Sequence, residues 1–223
     1  MAAATRWRIL QLADSAFPAG GFAHSAGLEA AVHLGEVRNA DRLDAHVRGY
    51  LWNVGGASLP FVAAAHDDPS AVDELDTRID ATLTGHVANR ASRTQGRAFV
   101  ATCAQVFDDP AIAALAARAR EPGVPAHFAP AFGAALCALG VERRETLALY
   151  LFLALRSVTS AAVRIGVVGP HEAQRLQRSH DPTLDAILGE CEGLRPAAAA
   201  TVSPLVDIVG ATHDRLYTRL FQS

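Results

Sequence analysis

The segment from Glu142 to Val168 sets the terms for the whole chain. Its first half contains LALYLFLAL, which is apolar on most sides of a helix. Such a helix has no face to give to water, so other helices must enclose it. Its second half, RSVTSAAVRIG, is rich in small residues that let neighbouring helices approach closely. Arg156 and Arg164 interrupt the apolar surface. Unpaired burial of a charge is costly, so each needs a carboxylate or carbonyl partner. The unbroken apolar run, Leu147 to Leu155, is far short of the roughly 20 residues that span a bilayer. The expectation is a core helix in a soluble, cytoplasmic protein with no membrane partner.

The remainder of the 223 residues supplies the enclosing helices. Helical periodicity dominates and strand alternation is nearly absent, which predicts an all-α, multi-helix bundle of about ten helices in a single domain, 1–223. A first helix is expected over Arg6–Ala13 and a second from Ser25, acting as its cap, to Leu34. Asn39 caps a third that runs to His66, with a break expected at Gly55-Gly56 and Pro60. Asp68-Pro69, Asp109-Pro110 and Asp181-Pro182 each mark a helix start, because aspartate satisfies the first amides and proline loses no needed hydrogen bond. Ser70 with Asp73 offers a capping-box alternative at the first. A long helical pattern covers Ala71–Phe107, with Gly85 and Gly96 as weak points. Two late helices are expected over Pro182–Leu194 and Pro196–Val209. In the tail, Leu216 and Leu220 are four apart, as are Tyr217 and Phe221, which predicts a helical ridge.

Composition excludes several activities. The chain has no lysine, which rules out a Walker-type phosphate loop and a Schiff-base nucleophile. A formal net charge of −3 argues against a nucleic-acid binder. The three cysteines are scattered, without a CxxC pair. Nine histidines offer neither HExxH nor an i, i+4 pair, so no protein-only metal site is expected. No GxSxG elbow is present.

The stretch Gln11–Glu29, QLADSAFPAGGFAHSAGLE, stands apart from the alanine-rich helices. Pro18, Gly20 and Gly21 force a sharp turn. Phe17 and Phe22 flank it and seek burial, and His24 and Ser25 fix the start of the next helix. An enzyme or small-ligand binder built on the Pro-Gly-Gly loop and His24 is one reading. A packed corner or a rigid partner-facing loop is another. Arg90, Arg93 and Arg97 in RASRTQGR recur at helical spacing, as a solvated face or as a dock for an acidic partner.

Four segments in order resemble the UreF family of urease accessory proteins. They are LQLADSAFPAGGFAHSAGLEAAV (Leu10–Val32), RASRTQGRAFV (Arg90–Val100), ALRSVTSAAVRIGVVGPHEAQRL (Ala154–Leu176) and HDRLYTRLFQS (His213–Ser223). Asp214 stands where the family more often has Glu. The resemblance implies an all-α co-chaperone with no catalytic residues, required for nickel insertion into urease. It implies a homodimer that bridges UreD (also called UreH) and the GTPase UreG, regulates GTP hydrolysis and docks on the urease apoprotein. Nickel and GTP would be handled by the complex, with no cofactor or metal held by this chain alone. Residues 210–223 would form a partner-binding tail. The partner-binding residues expected on this basis are Phe17, Pro18, Gly20, Gly21, Phe22, His24, Ser25, Glu29, Arg93, Gln95, Arg97, Leu216, Tyr217, Arg219, Leu220 and Phe221.

Overall fold

A computed structural model describes residues 3–223, with side chains from Thr5 onward. Twelve α-helices follow one another among these residues: α1 (Ala3–Ala13), α2 (Leu28–His33), α3 (Ala40–Asn53), α4 (Leu59–Asp67), α5 (Val72–Thr82), α6 (His86–Val106), α7 (Pro110–Arg118), α8 (Phe128–Ala138), α9 (Arg143–Ile165), α10 (Pro170–Ser179), α11 (Asp181–Cys191) and α12 (Pro204–Ala211). The described residues contain no strand. The all-α expectation therefore holds.

Helix α9 is the axis. Helices α1, α2, α3, α4, α8, α10 and α11 all pack against it. Among the described residues only α9 is long and apolar enough to cross a membrane, yet most of it lies inside the bundle. Two of its arginines reach carbonyls: half-buried Arg156 donates to Ala13 O, and Arg164, on the surface, to Phe22 O. Gly166 ends the helix in the left-handed conformation that glycine adopts without strain.

A second layer forms where α6 and α4 meet α8. These helices cross almost backbone to backbone. A Cβ on Gly133 would lie 2.2 Å from Val62 O, and one on Gly96 would lie 2.1 Å from Ala126 O. Phe99, Phe128, Phe132 and Tyr150 fill the space beside these crossings, with ring centroids 5.1–5.4 Å apart. Buried Asp76 locks the loop before α8. It accepts from Ala126 N and His127 N, both at 2.7 Å, and from Arg118 at 2.9 Å.

Several local expectations are corrected. The break at Gly55-Gly56 is a π-helical turn over Val54–Ser58. A Cβ on Gly55 would meet Ile187 at 2.4 Å and one on Gly56 would meet Ala200 O at 2.6 Å, so the turn admits α11 and a crossing strap. That strap replaces the helix expected over Pro196–Val209. Only a short 3-10 turn, Pro196–Ala198, precedes an extended passage into α12. Asn53 satisfies the strap on both sides of its amide: Val202 N and Ser203 N donate to its oxygen, and its nitrogen donates to Ser203 O and Asp207. The long Ala71–Phe107 pattern divides at Leu83–Gly85, while Gly96 stays inside α6.

Of the three Asp-Pro starts, Asp109 caps α7 and Asp68 caps a 3-10 turn that leads into α5. At the third, α11 starts at Asp181 itself and follows His180 without a side-chain cap. The Ser25 hydroxyl accepts from Glu29 N in the first turn of α2 at 3.4 Å, as expected, but Ser25 is not the N-cap residue. Gly27 holds that position at φ 79°, because two left-handed residues, Ala26 and Gly27, turn the chain first. The tail is not a helix beyond Ala211; a 3-10 turn at His213–Arg215 gives way to extended chain.

Candidate functional site

The Gln11–Glu29 stretch and the tail, 202 residues apart between Gln11 and His213, form one structure. The loop comes first. Asp14 accepts from Ala16 N at 2.9 Å, and Gly20 takes φ 78° to complete the turn after Pro18. Side chains from the bundle then hold its carbonyls. Thr102 of α6 donates to Pro18 O at 2.9 Å, Ser157 of α9 to Gly21 O at 3.4 Å, and Arg164 to Phe22 O. Phe17 packs beside Phe99 and Phe107, with centroids 6.5 and 6.3 Å away. Gln95 lies against Gly21, its Nε2 3.1 Å from where a Cβ would stand. The loop is rigid because its neighbours hold both its backbone and Phe17.

The tail closes over this loop. Leu220 N donates to Glu29 Oε1 at 2.6 Å and Phe221 N to Glu29 Oε2 at 3.2 Å. His213 Nε2 lies 2.9 Å from the same Oε2. Gln222 N donates to Ala23 O at 2.8 Å, and Ser25 N donates to Ser223 O at 2.6 Å. The Ser25 hydroxyl also donates to Ser223 O at 3.0 Å while it accepts from Glu29 N, so it ties the tail to the start of α2. His24 Nδ1 and Ser223 Oγ are 2.6 Å apart. Arg164 stacks between two rings, 3.8 Å from the Phe22 centroid and 4.2 Å from that of Phe221. Gly27 passes under α12, where a Cβ would come within 3.1 Å of Gly210 Cα.

Glu29 is 1% exposed and His213 is fully buried. Sequence reading did not bring the two together. Their partnership spans 184 positions, and only the position of Glu29 among buried Leu28, Ala30 and Ala31 hinted at it. A carboxylate there must be paired, and three donors pair it. The same engagement leaves it no free oxygen pair for acid–base work. His24 is held below the ordinary imidazole range, chiefly by burial and then by Arg90 and His213. Its Nε2 is buried and faces no hydrogen-bonding group among the described residues. Burial pushes the Cys103 thiol up to about 12, far from a thiolate at neutral pH.

The expected tail ridge is corrected. In extended chain, Phe221 turns inward, Leu216 is half-buried, and Tyr217 and Leu220 point outward at 101% and 63% exposure. Phe22, expected to seek burial in the chain's own core or in another protein, is not in the core: it is 72% exposed with one face on Arg164. Three large apolar side chains therefore project from the loop–tail junction.

The arginines of α6 lie beside this junction. Arg90 grips Asp214 with two hydrogen bonds of 2.8 and 3.1 Å; His86 at 3.2 Å and Arg219 at 3.3 Å complete its surround. These contacts, led by the Arg90 hydrogen bond, hold the Asp214 carboxyl below the usual range. Arg97 donates to Val124 O at 2.6 Å, and Arg93 stands 3.8 Å from Asp80.

Comparison with known proteins covers the whole assembly. A model of the UreF family matches residues 37–180. "Urease accessory protein F" of Arabidopsis thaliana is 36% identical over 222 residues, spanning 98% of this chain and 92% of that protein. The protein of the same name from Oryza sativa subsp. indica is 36% identical over 96% of this chain and 84% of its own length. "Urease accessory protein UreF" of Arthrobacter sp. (strain FB24) is 32% identical over the full length of both. Loop and tail lie outside the family-model match but inside these pairwise alignments.

Proposed function

This chain belongs to the UreF family of urease accessory proteins, and from that premise we propose that it serves urease maturation as a non-catalytic co-chaperone. It acts by contact, bridging UreD (UreH) and the GTPase UreG for nickel insertion into the urease apoprotein. It regulates GTP hydrolysis without performing it. Nickel is cargo of the complex, and the chain works as a homodimer.

One observation carries this reading. The loop and tail segments meet in a single rigid junction that leaves Phe22, Tyr217 and Leu220 exposed. Large apolar groups held outward on an immobile backbone lose little entropy on docking, which suits a partner face. The buried carboxylate of the junction, Glu29, is taken up by three donors that hold the tail in place, which suits a contact role. The small-ligand alternative loses its support, because His24 is engaged with Ser223 and the Pro-Gly-Gly turn packs on α6 and α9.

The test is co-purification of tagged UreD and UreG with the parent chain and with Tyr217→Ala/Leu220→Ala. Neither side chain supports the fold, so the melting temperature should hold. UreD capture should drop at least tenfold, given ~1.4 kcal/mol or more for truncating exposed anchors at an interface. Capture equal to the parent would sink the assignment of this face.

A further inference from the structure

Helix α6 carries His86, Arg90, Arg93 and Arg97, spaced by four, three and four residues. That spacing aligns them along one side of the helix, over about 16 Å at 1.5 Å per residue. The side opens into a groove of about 590 Å³ that contains all four. With Arg219 nearby, four arginines stand against two carboxylates, Asp80 and Asp214. The surplus is local, since the whole chain is net negative.

The two halves of the stripe differ. In the first, Arg90 and His86 hold the carboxylate of Asp214. In the second, Arg93 makes no hydrogen bond among the described residues. Its closest acidic neighbour is Asp80, 3.8 Å away, and that carboxylate is already engaged by His127 at 2.9 Å and Asn89 at 3.0 Å. Asp80 is thus committed to holding the α5–α8 junction, which leaves the Arg93 fork unfilled. A guanidinium fork matches a carboxylate with two parallel hydrogen bonds. Asp214 displays that geometry one turn away on Arg90.

We propose that the α6 groove is a docking rail for an acidic peptide segment of a protein partner, with one partner carboxylate seated on Arg93. An extended peptide rises about 3.3 Å per residue, so roughly five residues would cover the rail. The wall offers Thr84, Asn89 and Thr94, neutral groups suited to a peptide backbone. It offers no aromatic ring for stacking bases, and a surplus of two arginines is too small to hold a nucleic-acid backbone. The groove is lined by none of Phe22, Tyr217 and Leu220, although it adjoins the tail through Asp214 and Arg219.

The probe is a fluorescein-labelled Gly-Glu-Gly-Glu-Gly-Glu peptide, with its Gln counterpart as control, followed by fluorescence anisotropy on the full chain. The Glu peptide should bind at least tenfold more tightly than the Gln peptide, and about 0.5 M salt should abolish the difference. Arg93→Glu should weaken binding at least tenfold. Thr94→Glu, which places a carboxylate inside the groove, should do the same by a different route. Both positions are on the surface side of α6, and an unchanged melting temperature verifies the fold. Equal binding by the parent and both variants overturns the proposal. Tighter binding of a dT oligonucleotide or of pyrophosphate than of the Glu peptide also overturns it, because the groove would then be a general polyanion site. No urease protein enters this assay, so its outcome is independent of the UreD capture experiment.

Discussion

Glu29→Gln should open the loop–tail junction while leaving the helical bundle folded. The carboxylate has two oxygens and three donors: Leu220 N on Oε1, and Phe221 N and His213 Nε2 on Oε2. A carboxamide keeps one acceptor and introduces an N–H in place of the other. If its oxygen takes the Oε2 side, two donors stay paired and Leu220 N meets a donor. If it takes the Oε1 side, Phe221 N and His213 are both orphaned. The less costly arrangement still loses one charge-assisted bond, worth ~1.5–3 kcal/mol, and adds a donor–donor contact, for ~2–4 kcal/mol in total. The tail can escape that cost by lifting into water, so the loss falls on local opening and not on global unfolding. Native-state hydrogen exchange reads it directly. Protection of the Leu220 and Phe221 amides should fall by about 30- to 1,000-fold, as ~1.4 kcal/mol is tenfold. Amides of α8 and α9 should keep theirs. Exchange of Leu220 and Phe221 within about threefold of the parent would show that Glu29 is not the clasp. A uniform loss across the bundle would show that it is a core group instead.

Further outcomes follow from the same geometry. Gly96→Ala should cost at least ~3 kcal/mol in urea denaturation, because the new Cβ strikes the backbone of Ala126–Phe128. Gly189→Ala, on α11 with open space around it, should gain ~0.5–1 kcal/mol by helix propensity in the same measurement. His24, His46, His127 and His180 are each held below the ordinary value of 6.5, burial being the first cause in all four. The native state then binds fewer protons than the unfolded chain below that value, so stability should be flat above it. It should fall as pH drops from 6.5 toward the depressed values, by at most ~1.4 kcal/mol per pH unit for each histidine. A urea midpoint that does not change between about pH 7 and about pH 5.5 would contradict this. Gly21→Val should spare helicity, since its nearest obstacle is the flexible end of Gln95, and should reduce partner capture by displacing Phe22.

Much of the fold was legible because it rests on period and punctuation. The LALYLFLAL run demanded enclosure and α9 is enclosed; Asp109-Pro110 announced a helix and α7 begins there. Arg156 and Arg164 were each expected to find a carboxylate or a carbonyl, and both donate to carbonyls, although Arg164 does so at the surface. The errors lie where tertiary contacts override local pattern. The i, i+4 spacing of Leu216/Leu220 and Tyr217/Phe221 is a valid helical signal. Glu29 outcompetes it by taking the Leu220 and Phe221 amides as its own donors. Ser25 reads as the N-cap; Gly27 takes that position, and the Ser25 hydroxyl serves both Glu29 N and Ser223 O. The Pro196–Val209 helix fails because Asn53 and Gly56 O offer the strap extended-chain hydrogen bonds. The site itself was half visible. Both segments were recognisable, but their meeting was not, since no local rule links Glu29 to His213 or His24 to Ser223.

That separation also has a kinetic side. The bonds of the junction join residues 184 to 199 positions apart in sequence. Closing so long a loop is entropically among the slowest events available to the chain, and its reward comes only after the bundle has placed Glu29. The junction should therefore form last, on a body already folded. During synthesis, residues 220–223 leave the ribosome after the twelve helices described above. A nascent chain would present its α6 and α9 surfaces before it presented the finished junction. The outward set of Phe22, Tyr217 and Leu220 thus marks a chain whose folding has run to its final step.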